Sequence, residues 1–85
     1  MPKFVISYDL IAPGKNYDAL WAELKRLNAR RLLFSQWGAN ITDADAARLR
    51  DHLRQFIDAN DRILIMDRDT GNWAAYNLMG RLDQL

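Results

Sequence analysis

At 85 residues and without a cysteine, the chain is sized for one domain, and disulfides and thiolate metal centres are excluded. Hydrophobic residues make up 49%, with three each of Trp, Tyr and Phe, which is enough for a packed core and argues against disorder. The formal net charge of +1 gives no global electrostatic case for nucleic acid, so any such case rests on local clustering.

So high an apolar content in so short a chain predicts that part of it lies at a subunit interface, and a homodimer is expected. No secretory signal is visible and no apolar run approaches the ~20 residues of a membrane span, so no membrane partner and a cytoplasmic location are expected.

The apolar run Phe4-Val5-Ile6-Ser7-Tyr8-Asp9-Leu10 predicts a central strand buried on both faces, ending on a carboxylate. A rigid strand end is a good place to hold a functional group, which makes Asp9 the first candidate site residue. Pro13-Gly14 predicts a turn, and Asn16 is placed to cap a helix. Tyr17, Leu20, Trp21, Leu24 and Leu27 follow at helical spacing, and Asn28 ends that helix. Arg31 to Phe34 and Trp37 to Ile41 read as two strands, with either a reversal near Ser35-Gln36 or one bent strand between them. Thr42 and Asp45 resemble a capping box, after which Ala46, Leu49, Leu53, Phe56 and Ile57 line one helical face. Asp58 to Asp61 close that helix, and Arg62 to Asp67 form a fourth strand.

Strand, helix, strand, strand, helix, strand is the split βαβ order, which predicts an α+β, ferredoxin-like sandwich over residues 1–67 with both helices on one face of an antiparallel sheet. Residues 68–85, with Trp73 and Tyr76, are too apolar for a free tail. They are expected to pack on their own sheet, on a partner's edge, or both.

Three fragments stand in a telling order. Tyr8-Asp9-Leu10 ends the first strand, Ala29 to Thr42 spans the hairpin around Phe34-Ser35-Gln36-Trp37, and Asp51 to Asp69 runs from the second helix into the fourth strand. Together they resemble the CRISPR-associated protein 2 superfamily, including its stand-alone and virulence-associated protein D-like relatives. The resemblance covers roughly residues 3–69. It implies a ferredoxin-like homodimer whose C-terminal segment crosses to the partner's sheet, and a role with RNA or DNA. In some members paired strand-end aspartates are proposed to hold a divalent metal for phosphodiester cleavage; in CRISPR members the dimer scaffolds the integrase on DNA. By position the implied catalytic and metal-binding residue is Asp9, with Mg2+ or Mn2+ as the ion. The apolar Leu10 to Gly14 stretch and the aromatic tail look more like the stand-alone relatives.

One carboxylate per subunit leaves most positions of a hard cation to water or phosphate oxygens, which suits Mg2+. The other reading of Asp9 is an acceptor for backbone N–H groups of the following loop. Lys15, Lys25, Arg26, Arg30 and Arg31 are the candidate nucleic-acid contacts, the last four crowding the junction of the first helix and second strand. Arg48, Arg50 and Arg54 are interleaved with acids and read as a solvated helix face. His52 reads as a surface residue, Ser7 and Ser35 have no base nearby in sequence, and Asp67 to Asn72 reads as a turn because Gly71 and Leu78 stand where a calcium loop needs acids. Tyr8, Phe34 and Trp37 read as core or interface aromatics.

Two functions from different classes follow. One is a nucleic-acid-handling homodimer with metal-dependent endonuclease activity through Asp9. The other is a non-catalytic dimeric module that presents its apolar surface to a protein partner, such as an antitoxin or an assembly component.

Overall fold

A computed structural model describes residues 3–11 and 17–80. The elements run β1 (Phe4–Asp9), α1 (Asp18–Arg26), β2 (Arg30–Leu33), β3 (Gln36–Ala39), α2 (Ala46–Leu53) with a 3₁₀ turn (Arg54–Phe56), β4 (Arg62–Asp67) and β5 (Trp73–Tyr76). The five strands form one sheet in the order β2-β3-β1-β4-β5, and every neighbouring pair is antiparallel.

The sheet has two unlike faces because side chains alternate along each strand. Phe4, Ile6 and Tyr8 of β1, Trp37 and Ala39 of β3, Ile63 and Ile65 of β4, and Ala74 of β5 share one core with Leu20 and Leu24 of α1 and Leu49 and Leu53 of α2. Both helices therefore pack against the same face. The other face carries Val5, Ser7 and Asp9, then by register Gln36 and Gly38, Arg62, Leu64 and Met66, and Trp73 and Ala75. Here the sequence expectation needs correcting. β1 is central, but only its helix-facing residues are buried; Val5 and Ser7 are half-buried because no described element lies over them. A run of apolar residues is compatible with a strand that waits for a second layer.

Local signals mostly act where they stand. Asn28, with φ of 58°, takes the left-handed position after α1, and its N–H donates to the Lys25 carbonyl. Asn16 lies outside the described residues, and the capping position of α1 is Tyr17, which makes no side-chain cap bond. The second cap is Asp45 rather than Thr42: its carboxylate accepts the Arg48 N–H at 2.8 Å. A charged acceptor three residues before a free N–H outcompetes the hydroxyl upstream, and α2 starts three residues later than the capping-box pattern suggests. The α2 helix tightens into its 3₁₀ turn at Arg54, and Ile57 is already extended.

The two strands after α1 are a true hairpin rather than one bent strand, reversing at Phe34-Ser35. A relay fixes its tip. Trp37 Nε1 donates to the Tyr8 hydroxyl at 2.8 Å, and that hydroxyl donates to the Phe34 carbonyl at 3.1 Å. The β4–β5 reversal is built on Asp67, whose carboxylate accepts the Asp69 and Thr70 N–H groups. Burial raises this carboxyl's pKa, but those N–H donors, the Thr70 hydroxyl and the Lys3 charge outweigh burial and hold it below its ordinary 3.8. Gly71, at φ of 79°, supplies the left-handed residue of the same turn. β5 then pairs with β4 of its own chain, Met66 opposite Trp73 through Ile63 opposite Tyr76.

Candidate functional site

Asp9 ends β1 on the helix-free face, exposed, and opposite Arg62 at the start of β4. Among the described residues its carboxylate has no hydrogen-bond or ion-pair partner. The loop that follows is not held by Asp9. Asp61 accepts the Ile11 N–H at 2.8 Å, the Tyr17 hydroxyl at 2.8 and 2.7 Å, and the Asp58 N–H at 2.7 Å. Asp61 is 0% exposed. It ties the end of β1, the start of α1 and the α2–β4 connection to one buried carboxylate, which is the structural work the sequence offered to Asp9. That leaves Asp9 uncommitted.

A groove of about 340 Å³ opens beside Asp9, walled by Ser7, Ser35, Arg62, Leu64, Leu78 and Met79 among others. Ser7 Oγ accepts from Gln36 Nε2 at 3.2 Å. Arg62 is the unusual member. Its Nε is shut off from solvent and has no hydrogen-bond partner, and the guanidinium forms no ion pair among the described residues. In the sequence Asp61 and Arg62 belong to the passage that carries the family resemblance, but neither stood out as a candidate site residue. Asp61 looked like the last of the four residues, Asp58 to Asp61, that close the helix, and no local pattern distinguishes the buried one.

The candidate basic residues do not converge. Arg30 and Arg31 are neighbours in a strand, so they project to opposite faces. Arg30 pairs with Gly38 on the helix-free side, two strands across from β1 and about 14 Å from Asp9 along the strand direction by the ~3.4 Å rise per residue. Arg31 lies on the helix side, with its guanidinium 5.1 Å from the Trp21 ring and 5.0 Å from the Trp37 ring. Tyr8 stacks on Trp21 at 5.6 Å in the same aromatic cluster. Arg26 forks onto Glu23 at 2.7 and 2.5 Å, Lys25 is exposed on α1, and Lys15 lies outside the described residues. Of the second-helix arginines, Arg50 pairs with Asp51 at 3.0 Å and Arg54 stacks 3.9 Å over Tyr76.

His52 is more than a surface residue. Its Nε2 lies 2.5 Å from Glu23 Oε2 and its ring meets Phe56 edge-on, so it joins α2 to α1. The hydrogen bond from Arg26, then that from His52, hold the Glu23 carboxyl at about 2, against the opposing effect of burial.

For a divalent cation, one protomer brings little. Among the described residues no three His, Cys, Asp or Glu side chains come together, and Arg62 stands beside the single carboxylate. A cation at Asp9 therefore needs further oxygen ligands beyond the described residues of one protomer. No described helix is long and apolar enough to cross a membrane. No protein-family model matches the chain, and no solved structure gives a significant match.

Proposed function

We propose that the protein is a nucleic-acid-handling homodimer with the ferredoxin-like arrangement of the CRISPR-associated protein 2 superfamily. The order β2-β3-β1-β4, with β5 added outside β4, supports that arrangement. The observation that carries the functional reading is Asp9: an exposed carboxylate without a partner among the described residues, at the rim of an apolar sheet face. Val5, Leu64, Met66, Trp73 and Ala75 form that face, and Met66 and Trp73 are 40% and 43% exposed. Apolar sheet surface of this kind is stabilised by a second layer, and a twofold axis running close to the Asp9 end of β1 would bring two Asp9 side chains towards each other. Mg2+ or Mn2+ between them would polarise a phosphodiester and lower the pKa of a bound water. Absence of cysteine fits a reducing cytoplasm.

The test has two parts. Sedimentation should give a dimer that Met66→Glu and Leu64→Asp convert to monomer. Labelled single- and double-stranded RNA and DNA should be cut with Mg2+ or Mn2+ and not with chelator, and Asp9→Asn should abolish cutting while leaving the dimer intact. Cleavage that survives Asp9→Asn refutes the catalytic assignment.

A second reading has its own support. Leu32, Leu33 and Phe34, at the edge strand and hairpin tip, are 50%, 62% and 91% exposed. Three consecutive exposed apolar residues on an unpaired edge suit strand addition by a protein partner, as in a non-catalytic interaction module. Loss of partner binding in Phe34→Asp, with no nuclease activity in the unmodified protein, would favour it.

A further inference from the structure

We propose that the groove beside Asp9 is a nucleotide site in which Arg62 holds the phosphate. The argument begins with a pair that does not form. Asp9 and Arg62 are directly opposed across β1 and β4, a placement in which opposite charges ordinarily meet. Neither has a partner among the described residues, and the Arg62 Nε is withdrawn from water as well. An arginine cannot shed its proton to relieve this, so a buried, unpaired donor on a permanent cation is a standing penalty. The terminal nitrogens of the guanidinium have no partner among the described residues either, and through them a planar fork can meet two oxygens of an oxyanion in the groove at once.

The groove supplies the rest of such a site. Ser7 and Ser35 line its wall, and Ser7 Oγ accepts from Gln36, so its own proton is left to donate to a ligand oxygen. Leu64, Leu78 and Met79 give an apolar surface for a ring. About 340 Å³ is at the small end of ligand pockets, suited to one nucleotide unit rather than a duplex. Rigidity comes from next door: buried Asp61 fixes the turn that delivers Arg62 to the start of β4.

Asp9 decides between ligands. A bare anion in the groove meets a carboxylate that can only accept hydrogen bonds. A nucleotide carries both halves of the complement: a phosphate for Arg62, and ribose hydroxyls or an exocyclic amine to donate to Asp9. The choice of nucleotide over other phosphates rests on the reading of Asp9 as part of a nucleic-acid site.

The test follows the Arg62 Nε–H resonance of the full chain by NMR, titrating separately with cytidine 5′-monophosphate, cytidine and inorganic phosphate. The nucleotide should move that resonance saturably and phosphate more weakly, while cytidine alone leaves it in place. Arg62→Met should weaken nucleotide binding roughly tenfold or more and keep or raise the unfolding midpoint, since a charged donor without a partner is removed. Arg62→Lys, which keeps charge without the fork, should bind with intermediate affinity. Asp9→Asn should narrow the preference for nucleotide over phosphate. The proposal is overturned by an unmoved Nε–H, by equal movement of exposed arginines such as Arg48, or by a resonance that follows protein concentration instead of nucleotide, which would place a second copy's carboxylate in the groove. Nucleotide binding without any RNA or DNA binding would sink the functional reading and leave the site. Polynucleotide binding unaffected by Arg62→Met, with Nε–H unmoved, would do the reverse.

Discussion

Replacing Asp61 is the sharpest test of how the end of β1 is held. Its carboxylate accepts the Ile11 N–H, the Tyr17 hydroxyl and the Asp58 N–H at 2.7–2.8 Å, with no exposure to water. Hydrogen bonds to an ionised group contribute about 1.5–3 kcal/mol each, and donors left unsatisfied in the interior cost about 1–3 kcal/mol. The bonds share one side chain and do not add, so Asp61→Ala should cost about 4–5 kcal/mol, within the range for breaking a buried charged network. Asp61→Asn keeps one accepting oxygen but turns an NH₂ towards donors, and should cost about 3–4 kcal/mol. With a urea slope of about 1 kcal/mol/M for a small domain, the midpoint falls by roughly 3–4 M. Tyr17→Phe alone should cost about 1–2 kcal/mol, and nearly nothing in the Asp61→Ala background, because the acceptor is already gone. Amide exchange adds a local readout: the Ile11 N–H, just beyond β1, should lose protection ahead of the β1 amides. An Asp61→Asn unfolding free energy within about 1 kcal/mol of the unmodified protein would refute the clamp, as would full additivity with Tyr17→Phe.

The interhelical cluster predicts acid behaviour. Glu23 has its pKa depressed from 4.5 to about 2 on folding, so its contribution is complete above about pH 4.5 and is lost as pH falls towards 2. Glu23→Gln should flatten the stability profile in that window, measured by urea melts at successive pH values; an unchanged slope refutes the assignment. Arg31→Ala should cost about 1–2 kcal/mol and shift tryptophan emission to the red, because Trp21 and Trp37 lose the cation between them. Arg30→Ala should be nearly silent in stability, and if Arg30 contacts a polynucleotide its salt slope drops by about 0.9, whereas Arg31→Ala leaves the slope alone. Leu53→Ala, at a fully buried position beneath β4 and β5, should cost about 2–5 kcal/mol by calorimetry. A cost below 1 kcal/mol would mean that the site is not core.

The functional reading turns on which acid is spent and which is free. Two aspartates near the same end of the sheet divide the labour: Asp61 is buried and fully engaged, while Asp9 is exposed beside an equally unengaged Arg62.

Sequence by itself was enough for both helices and the face that each buries, and for the first four strands, though not for the open face of β1 or for β5. The Leu20-Leu24 and Leu49-Leu53 spacings put apolar residues on one side of each helix, and Arg62 to Asp67 is a strand with the bounds its pattern suggests. These signals are short-range: helical and strand periodicities, a left-handed Asn28 and a Gly in a turn act within a few residues of where they are written. Only the tertiary structure separated Asp9 from Asp61, Arg30 from Arg31, and the paired arginines from Arg62. Ile11 and Asp61 are fifty positions apart, and Asp9 and Arg62 more than that, so their meeting depends on β1 and β4 becoming neighbours. Whether a charge is an anchor, a solvated residue or an unused donor is set by what lies across the sheet. No local pattern carries that information, because the free energy of a polar group depends on partners that only the completed sheet brings within reach.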